Sequence, residues 1–445
     1  MNRVLLTATA IFFFVSAASA HYGARFEPPD GTILHGCGWN GYDSQANYNA
    51  MFPPAHHPLI LQAMADMPGT RGMDVARVIQ ALTEPVVHPD SQFIEYGLHF
   101  RDRDGMLDSV FALTTEMDHY IDTLATAFLT VNRPFFLRIG FEFNGAWNPN
   151  HPYIFPLAFR KLVFELRARG VNNFASVWCY EPDAPADFAD SNAQGWKWYP
   201  GDDAVDWFGL DPFDMEHFNP ALPDTYRGEI TKKGKSEAFL RFAEQRGKPV
   251  YLNELSARNV NIVADSLDPE HAEGQADWAY WFMPFFQFVN NHPAIKGWNY
   301  INLDWTRYET YETWGDARLE INAYIRDHWV DSLLSARFLN VGYDITQQVP
   351  AGDVPLSWPT AISLSAYPNP FNSSARISLD LPALAVTEVA VFNLLGQRAA
   401  LLHAGFLPSG HLSFDLDGSA LPSGSYLVRV TQGSSLQYRR IVLVR

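Results

Sequence analysis

Two glutamates sit where a carboxylate can do chemistry: Glu142 in FLRIGFEFNGAW and Glu254 in PVYLNELSARN. Each closes an apolar, strand-like run and is followed by polar loop residues. Two carboxyl groups facing one cleft can divide the work of breaking an acetal. One stays protonated and donates to the leaving oxygen, while the other stays ionised and attacks the carbon. Strand alternation groups Arg138, Gly140, Glu142 and Asn144 on one face, and Val250, Leu252 and Glu254 on another. Either glutamate alone would serve equally well as the partner of a core cation such as Arg138. Glu181 in CYEPD is the rival carboxylate, and Asp211 and Asp304 also stand at strand ends, suited to sugar hydroxyls or to structure.

Such residues need a frame that brings distant strand ends together. From Thr114 onward, helical stretches alternate with apolar strands: PFFLRIGFEF, FASVWCY, VDWFGLDPF, KPVYLNEL and IKGWNYINLDW. That alternation predicts a parallel α/β architecture, and these five read as strands four to eight of a (β/α)8 barrel. ILHGCGW is the expected first strand, and the second is placed near ARVIQAL. In a barrel, chemistry gathers at the carboxyl ends of the strands. Cys37 on the first strand and Cys179 on the fifth then lie apart across the barrel, so both are expected as free thiols.

Composition narrows the ligand. The chain has 445 residues, a net charge of −17, 18% charged residues and 14% aromatics. An acidic surface disfavours nucleic acid, whose phosphates require Lys and Arg, and anionic membranes equally. A neutral, ring-shaped ligand suits the aromatic surplus, because indole faces cover the C–H faces of sugars. Trp147, Trp298 and Trp305 are the expected sugar platforms, while Trp178, Trp196, Trp198 and Trp207 read as packing residues. His56-His57-Pro58 lacks a third ligand at fixed spacing, and Asp102-Arg103-Asp104-Gly105 lacks the glutamate that a calcium loop places at position twelve. No metal or organic cofactor is expected.

The ends have separate roles. Residues 1–20 read as a secretory signal peptide: Arg3, an apolar core, then Ala18-Ser19-Ala20. No later stretch is long enough to span a membrane. The expected division is a barrel over 21–337, a Pro/Gly-rich linker over 338–361, and a small antiparallel, immunoglobulin-like β-sandwich over 362–445. That last segment contains no Trp, Cys or Lys, and its strand-like runs are SARISLDL, TEVAVFNL, HLSFDL, GSYLVRV and YRRIVLV.

Three segments carry a resemblance. Arg138 with Glu142-Phe143-Asn144-Gly145-Ala146-Trp147, the stretch Tyr199 to Asp203 with Val205 to Asp211, and Lys248 to Glu254 together resemble glycoside hydrolase family 26. That family belongs to a clan of barrel-fold retaining glycosidases. The resemblance implies Glu142 as general acid/base, Glu254 as nucleophile and Trp147 as a residue lining the cleft; Arg138, Asn144, Asp211, Trp298 and Trp305 are expected beside it as substrate-binding residues. It implies a polysaccharide substrate, with β-mannan the first choice for an endo-acting enzyme. Two positions depart from the family pattern: Phe141 stands where it usually has His, and Phe213 lies nearest the place of a tyrosine. These departures imply altered substrate choice or a glycan-binding protein without activity on the same barrel.

The C-terminal segment, with Tyr367-Pro368-Asn369-Pro370-Phe371-Asn372, Leu395-Gly396 and Gly424-Ser425-Tyr426, is similar to the sorting domain of type IX secretion substrates. That similarity implies the type IX machinery as a partner, and a secreted or cell-surface protein of a Gram-negative-type bacterium.

Overall fold

The computed structural model describes residues 21–39, 44–86, 88, 91–189, 191–192, 195–196, 198–346, 361–381, 385–407, 410–432 and 435–444. The expected signal peptide and most of the expected linker lie outside these residues.

Eight parallel strands close into a barrel: β1 (Ile33–Cys37), β2 (Ile60–Asp66), β3 (Phe93–His99), β4 (Phe135–Ile139), β5 (Phe174–Tyr180), β6 (Trp207–Leu210), β7 (Val250–Leu255) and β8 (Ile295–Tyr300). They pair in sequence order, and β8 returns to β1 through the register Leu34 to Gly297. Strands four to eight fall where the hydrophobic runs predict. The second does not. ARVIQAL lies within the helix Val75–Thr83, capped by the Asp74 side chain accepting from the Arg77 N–H, and the strand is ILQAMAD just upstream. The two stretches carry the same number of apolar residues, so hydrophobicity alone does not tell the strand from the helix that follows it.

Side chains sort by parity. Leu34, Phe136, Val177, Trp207 and Tyr251 point inward and form an apolar plug with Phe26. Leu137, Ile139, Trp178, Phe208, Leu252 and Trp298 point outward into the layer shared with the helices. Helix ends are set locally. Thr231 caps Lys232–Gln245 by accepting from the Gly234 N–H, and Asn322 caps Ala323–Leu333 by accepting from Tyr324 and Ile325.

The C-terminal segment forms two antiparallel sheets over one apolar core. One orders β9 (Ser363–Tyr367), β10 (Ser374–Leu381) and β13 (Gly410–Asp417). The other orders β12 (Arg398–Leu407), β11 (Ala385–Asn393), β14 (Gly424–Gln432) and β15 (Ser435–Leu443). Residues of the Pro-Asn-Pro-Phe-Asn run clamp the last strand. Phe371 N–H donates to the Val442 carbonyl at 2.8 Å, and Asn369 Oδ1 accepts from the Val442 N–H at 2.9 Å.

Candidate active site

The inward face of β4 carries Arg138, fully buried, and three carboxylates converge on it. Its Nε meets Glu95 Oε1 from β3 at 2.8 Å, its Nη1 meets Asp211 Oδ2 past β6 at 3.2 Å, and its Nη2 meets Glu254 Oε1 from β7 at 2.5 Å. Glu95 Oε2 also accepts from Gln62 Nε2 at 2.8 Å and Asn299 Nδ2 at 3.0 Å. Asp211 Oδ1 accepts the backbone N–H of Glu254 at 2.9 Å, and the Cys179 thiol donates to its Oδ2 at 3.2 Å. Both cysteines are free, as expected.

Burial opposes the Arg138 charge, but Glu95, Glu254 and Asp211 outweigh it and hold the proton firmly. With one cation among three acids, burial pushes Glu95 up to about 7 and Asp211 well above the carboxylate range, despite Arg138. Of this lattice only Glu254 reaches solvent: its side chain is 10% exposed, while those of Arg138, Glu95 and Asp211 have no exposure. A ligand in the barrel mouth can therefore touch Glu254 and none of the groups that hold it.

Regular alternation does not place either glutamate. Val250 and Leu252 face the helices, so an unbroken β7 would send Glu254 outward with them. A register irregularity against β8 between Leu252 and Leu255 re-aims it into the mouth. On the other side β4 ends at Ile139, and the chain turns through left-handed residues at Gly140 (φ +52°) and Glu142 (φ +49°). A side chain at Gly140 would lie 2.4 Å from the Phe155 ring. The turn lifts Glu142 to the rim, partly open to solvent.

Trp147 folds back over Gly145, where a Cβ would lie 2.6 Å from the indole, and its Nε1 donates to Glu142 Oε2. Desolvation and the Glu254 charge push the Glu142 carboxyl up to about 7, against the opposing effect of that indole bond. Glu142 is thus a group that carries its proton near neutrality, beside a glutamate ion-paired to arginine. The rival Glu181 is 3% exposed, and burial followed by the charges of Glu142 and Asp183 raises it to about 9.

The expected substrate-binding residues divide. Trp147 is 48% exposed at the rim. Trp305 is nearly enclosed beneath Trp39, Tyr311 and Trp314, its Nε1 donating to Ser256 Oγ at 2.8 Å. Four others are corrected. Arg138 and Asp211 are sealed in the lattice below Glu254. Asn144 is a loop anchor, its Nδ2 donating to the Glu181 and Ala186 carbonyls and its Oδ1 accepting the Glu181 N–H. Trp298 faces outward, packed against Phe285, Trp329 and Phe338. Tyr308, Tyr311 and Trp314, which the sequence did not single out, form a partly exposed aromatic wall after β8.

Two ligand-type clusters occur among the described residues. Glu181, Asp183 and His217 lie within 4.8 Å of one another, as do His21, Glu27 and Asp30. In the first, Asp183 already holds Lys232 at 2.8 Å, His217 at 3.1 Å and Arg258. In the second, Lys296 reaches Asp30 at 3.1 Å. Protein cations already supply the charge at both places. The calcium-like segment is a turn in which Asp102 Oδ1 accepts from the N–H groups of Asp104 and Gly105.

With this geometry in hand, residues 120–274 match the model of glycosyl hydrolase family 26, a span containing both Glu142 and Glu254. The matched span runs through the barrel from β4 to β7. Residues 365–444 match the secretion system C-terminal sorting domain. A β-1,3-xylanase from an Alcaligenes species is 29% identical over 244 residues, 51% of this chain and 48% of that one. A second β-1,3-xylanase, from a Vibrio species, is 29% identical over 252 residues, 52% of this chain and 50% of its own. The chain thus spans about half the length of the curated relatives it matches. Among solved structures, a modular endo-β-1,4-mannanase from Cellulomonas fimi aligns over 96% of this chain and 98% of its own, with 15% identity and a TM-score of 0.48. No helix among the described residues is long and apolar enough to cross a membrane.

Proposed function

We propose that the family 26 domain is a retaining endo-β-glycanase that works by double displacement. Glu142 donates its proton to the leaving oxygen as Glu254 attacks the anomeric carbon, and then withdraws a proton from the water that releases the glycosyl-enzyme. One observation carries this reading: Glu142, lifted to about 7, shares a mouth with a glutamate bound to a buried arginine at 2.5 Å. The two carboxyls have the unequal settings that an acid and a nucleophile require. Trp147 at the rim and the partly exposed wall of Tyr308, Tyr311 and Trp314 suit sugar rings.

The curated relatives move the first substrate choice from β-mannan to β-1,3-xylan, with mannan retained beside it. The C-terminal sheets are read as a type IX sorting domain that takes the protein to the cell surface or beyond, and the domain limits 21–337, 338–361 and 362–445 belong to this reading. Reducing-end release from β-1,3-xylan, β-1,4-mannan, β-1,4-xylan and mixed β-glucan tests it. Hydrolysis of at least one is expected. Binding without hydrolysis of any would turn the assignment to the glycan-binding alternative.

A further inference from the structure

Phe141, immediately before Glu142, is fixed on three sides. One face of its ring lies 4.1 Å from the Arg138 guanidinium that holds Glu254. The imidazole of His99, at the end of β3, stacks on the ring at 3.7 Å between centroids and 25° between planes. Gly97 leaves the space, since a Cβ there would lie 3.0 Å from the Phe141 ring. The Phe141 carbonyl lies 3.1 Å from His99 Nε2 and accepts from Asn148 Nδ2 at 3.2 Å. A carbonyl can only accept, so His99 must carry its proton on Nε2. Nδ1 then faces Asp66 Oδ1 at 3.5 Å. His99 is 6% exposed, and both ring nitrogens face neighbouring protein groups.

We infer that His99 is a positioning residue for Glu142, holding the left-handed turn through its bond to the Phe141 carbonyl and its stack on the Phe141 ring. The inference rests on the assignment of Glu142 as acid/base. Its reason is steric. A non-glycine residue at φ +49° is strained and keeps that conformation only when its surroundings impose it. His99, from the end of β3, and Asn148, from within the loop, supply that constraint at the Phe141 carbonyl. The same ring touches Arg138, so a single aromatic residue sets the acid/base turn against the cation that holds the nucleophile.

A leaving-group series tests this. His99→Phe keeps an aromatic ring against Phe141 but removes the N–H, and His99→Gln restores a donor without the ring. If His99 positions Glu142, the Phe variant should lose about tenfold to a hundredfold in turnover on the polysaccharide, whose leaving sugar needs a proton. The same variant should lose less than about threefold in the burst rate on an activated aryl glycoside, which barely needs one. The Gln variant should recover most of the polysaccharide rate. Equal losses on both substrates, with a lowered melting temperature, would reduce His99 to a structural residue and overturn the inference. So would no loss on either. Glu142→Ala measured alongside separates the levels: if it too ignores the leaving group, the acid/base assignment fails and takes this inference with it.

Discussion

The two glutamates are held by different means. Glu254 stands on a lattice of buried ions, where Arg138, Asp211 and the Asp211-bound backbone N–H fix both its side chain and its main chain. Glu142 stands on a strained turn at the rim, partly solvated, with the Trp147 indole as its side-chain partner. The contrast matches the two tasks proposed for them. A nucleophile must remain a carboxylate at one fixed point, so rigidity and an adjacent cation serve it. An acid that later acts as a base must gain and lose a proton, so it needs solvent nearby and a balance between its two forms. Depth in the barrel separates the two settings.

The largest effect is expected on the lattice side. Glu254→Ala should lower turnover at least about 10⁴-fold on every substrate while oligosaccharide binding by calorimetry persists. Retained activity would move the nucleophile elsewhere.

On the rim side, Glu142→Ala should cost about 10²- to 10⁴-fold on polysaccharide but little in the first step on an activated aryl glycoside. For that substrate release becomes limiting, and azide should restore part of the rate. A uniform loss without azide rescue would erase the distinction between the two glutamates.

The lattice also has a stability signature. Arg138→Met leaves Glu95, Asp211 and Glu254 buried without their cation, and should destabilise the fold by about 3–5 kcal/mol in urea unfolding. A loss below about 1 kcal/mol would mean that the lattice holds geometry without holding the fold.

The smallest effect concerns proton balance. Loss of the acid form of Glu142 should bring activity down as pH rises through about 7. The Trp147 indole donates to the ionised form and so lowers that value. Trp147→Phe should therefore move the alkaline limb of kcat/KM upward, by less than about one pH unit. A downward shift would show that the indole favours the protonated acid.

How far these features were legible in the sequence follows from how each is encoded. Strands four to eight were readable because each is a compact apolar run bounded by turns, and the glutamates because one stands in the last residues of such a run and the other just past one. The alternation argument reached Glu254 for the wrong reason, since a bulge in β7 brings the side chain inward and no residue in PVYLNEL announces it. It counted Glu142 correctly but missed that β4 had ended. Glu95 went unseen because strand three had not been located, and without it Arg138 looked free to meet a sugar. Trp298 illustrates the cost of one position: Asn299, its neighbour, faces the lattice while Trp298 faces the helices. The wall of Tyr308, Tyr311 and Trp314 lies in a long loop whose path periodicity cannot give.

The measurement closest to the central claim is the stereochemistry of the first product. Proton NMR of early hydrolysis, on whichever β-glycan the protein cleaves, follows the newly formed reducing end before it mutarotates. Double displacement through Glu254 predicts the β-anomer first, with the α-anomer growing in only as mutarotation proceeds. Initial appearance of the α-anomer would mean a single displacement by water, and would contradict Glu254 as the nucleophile.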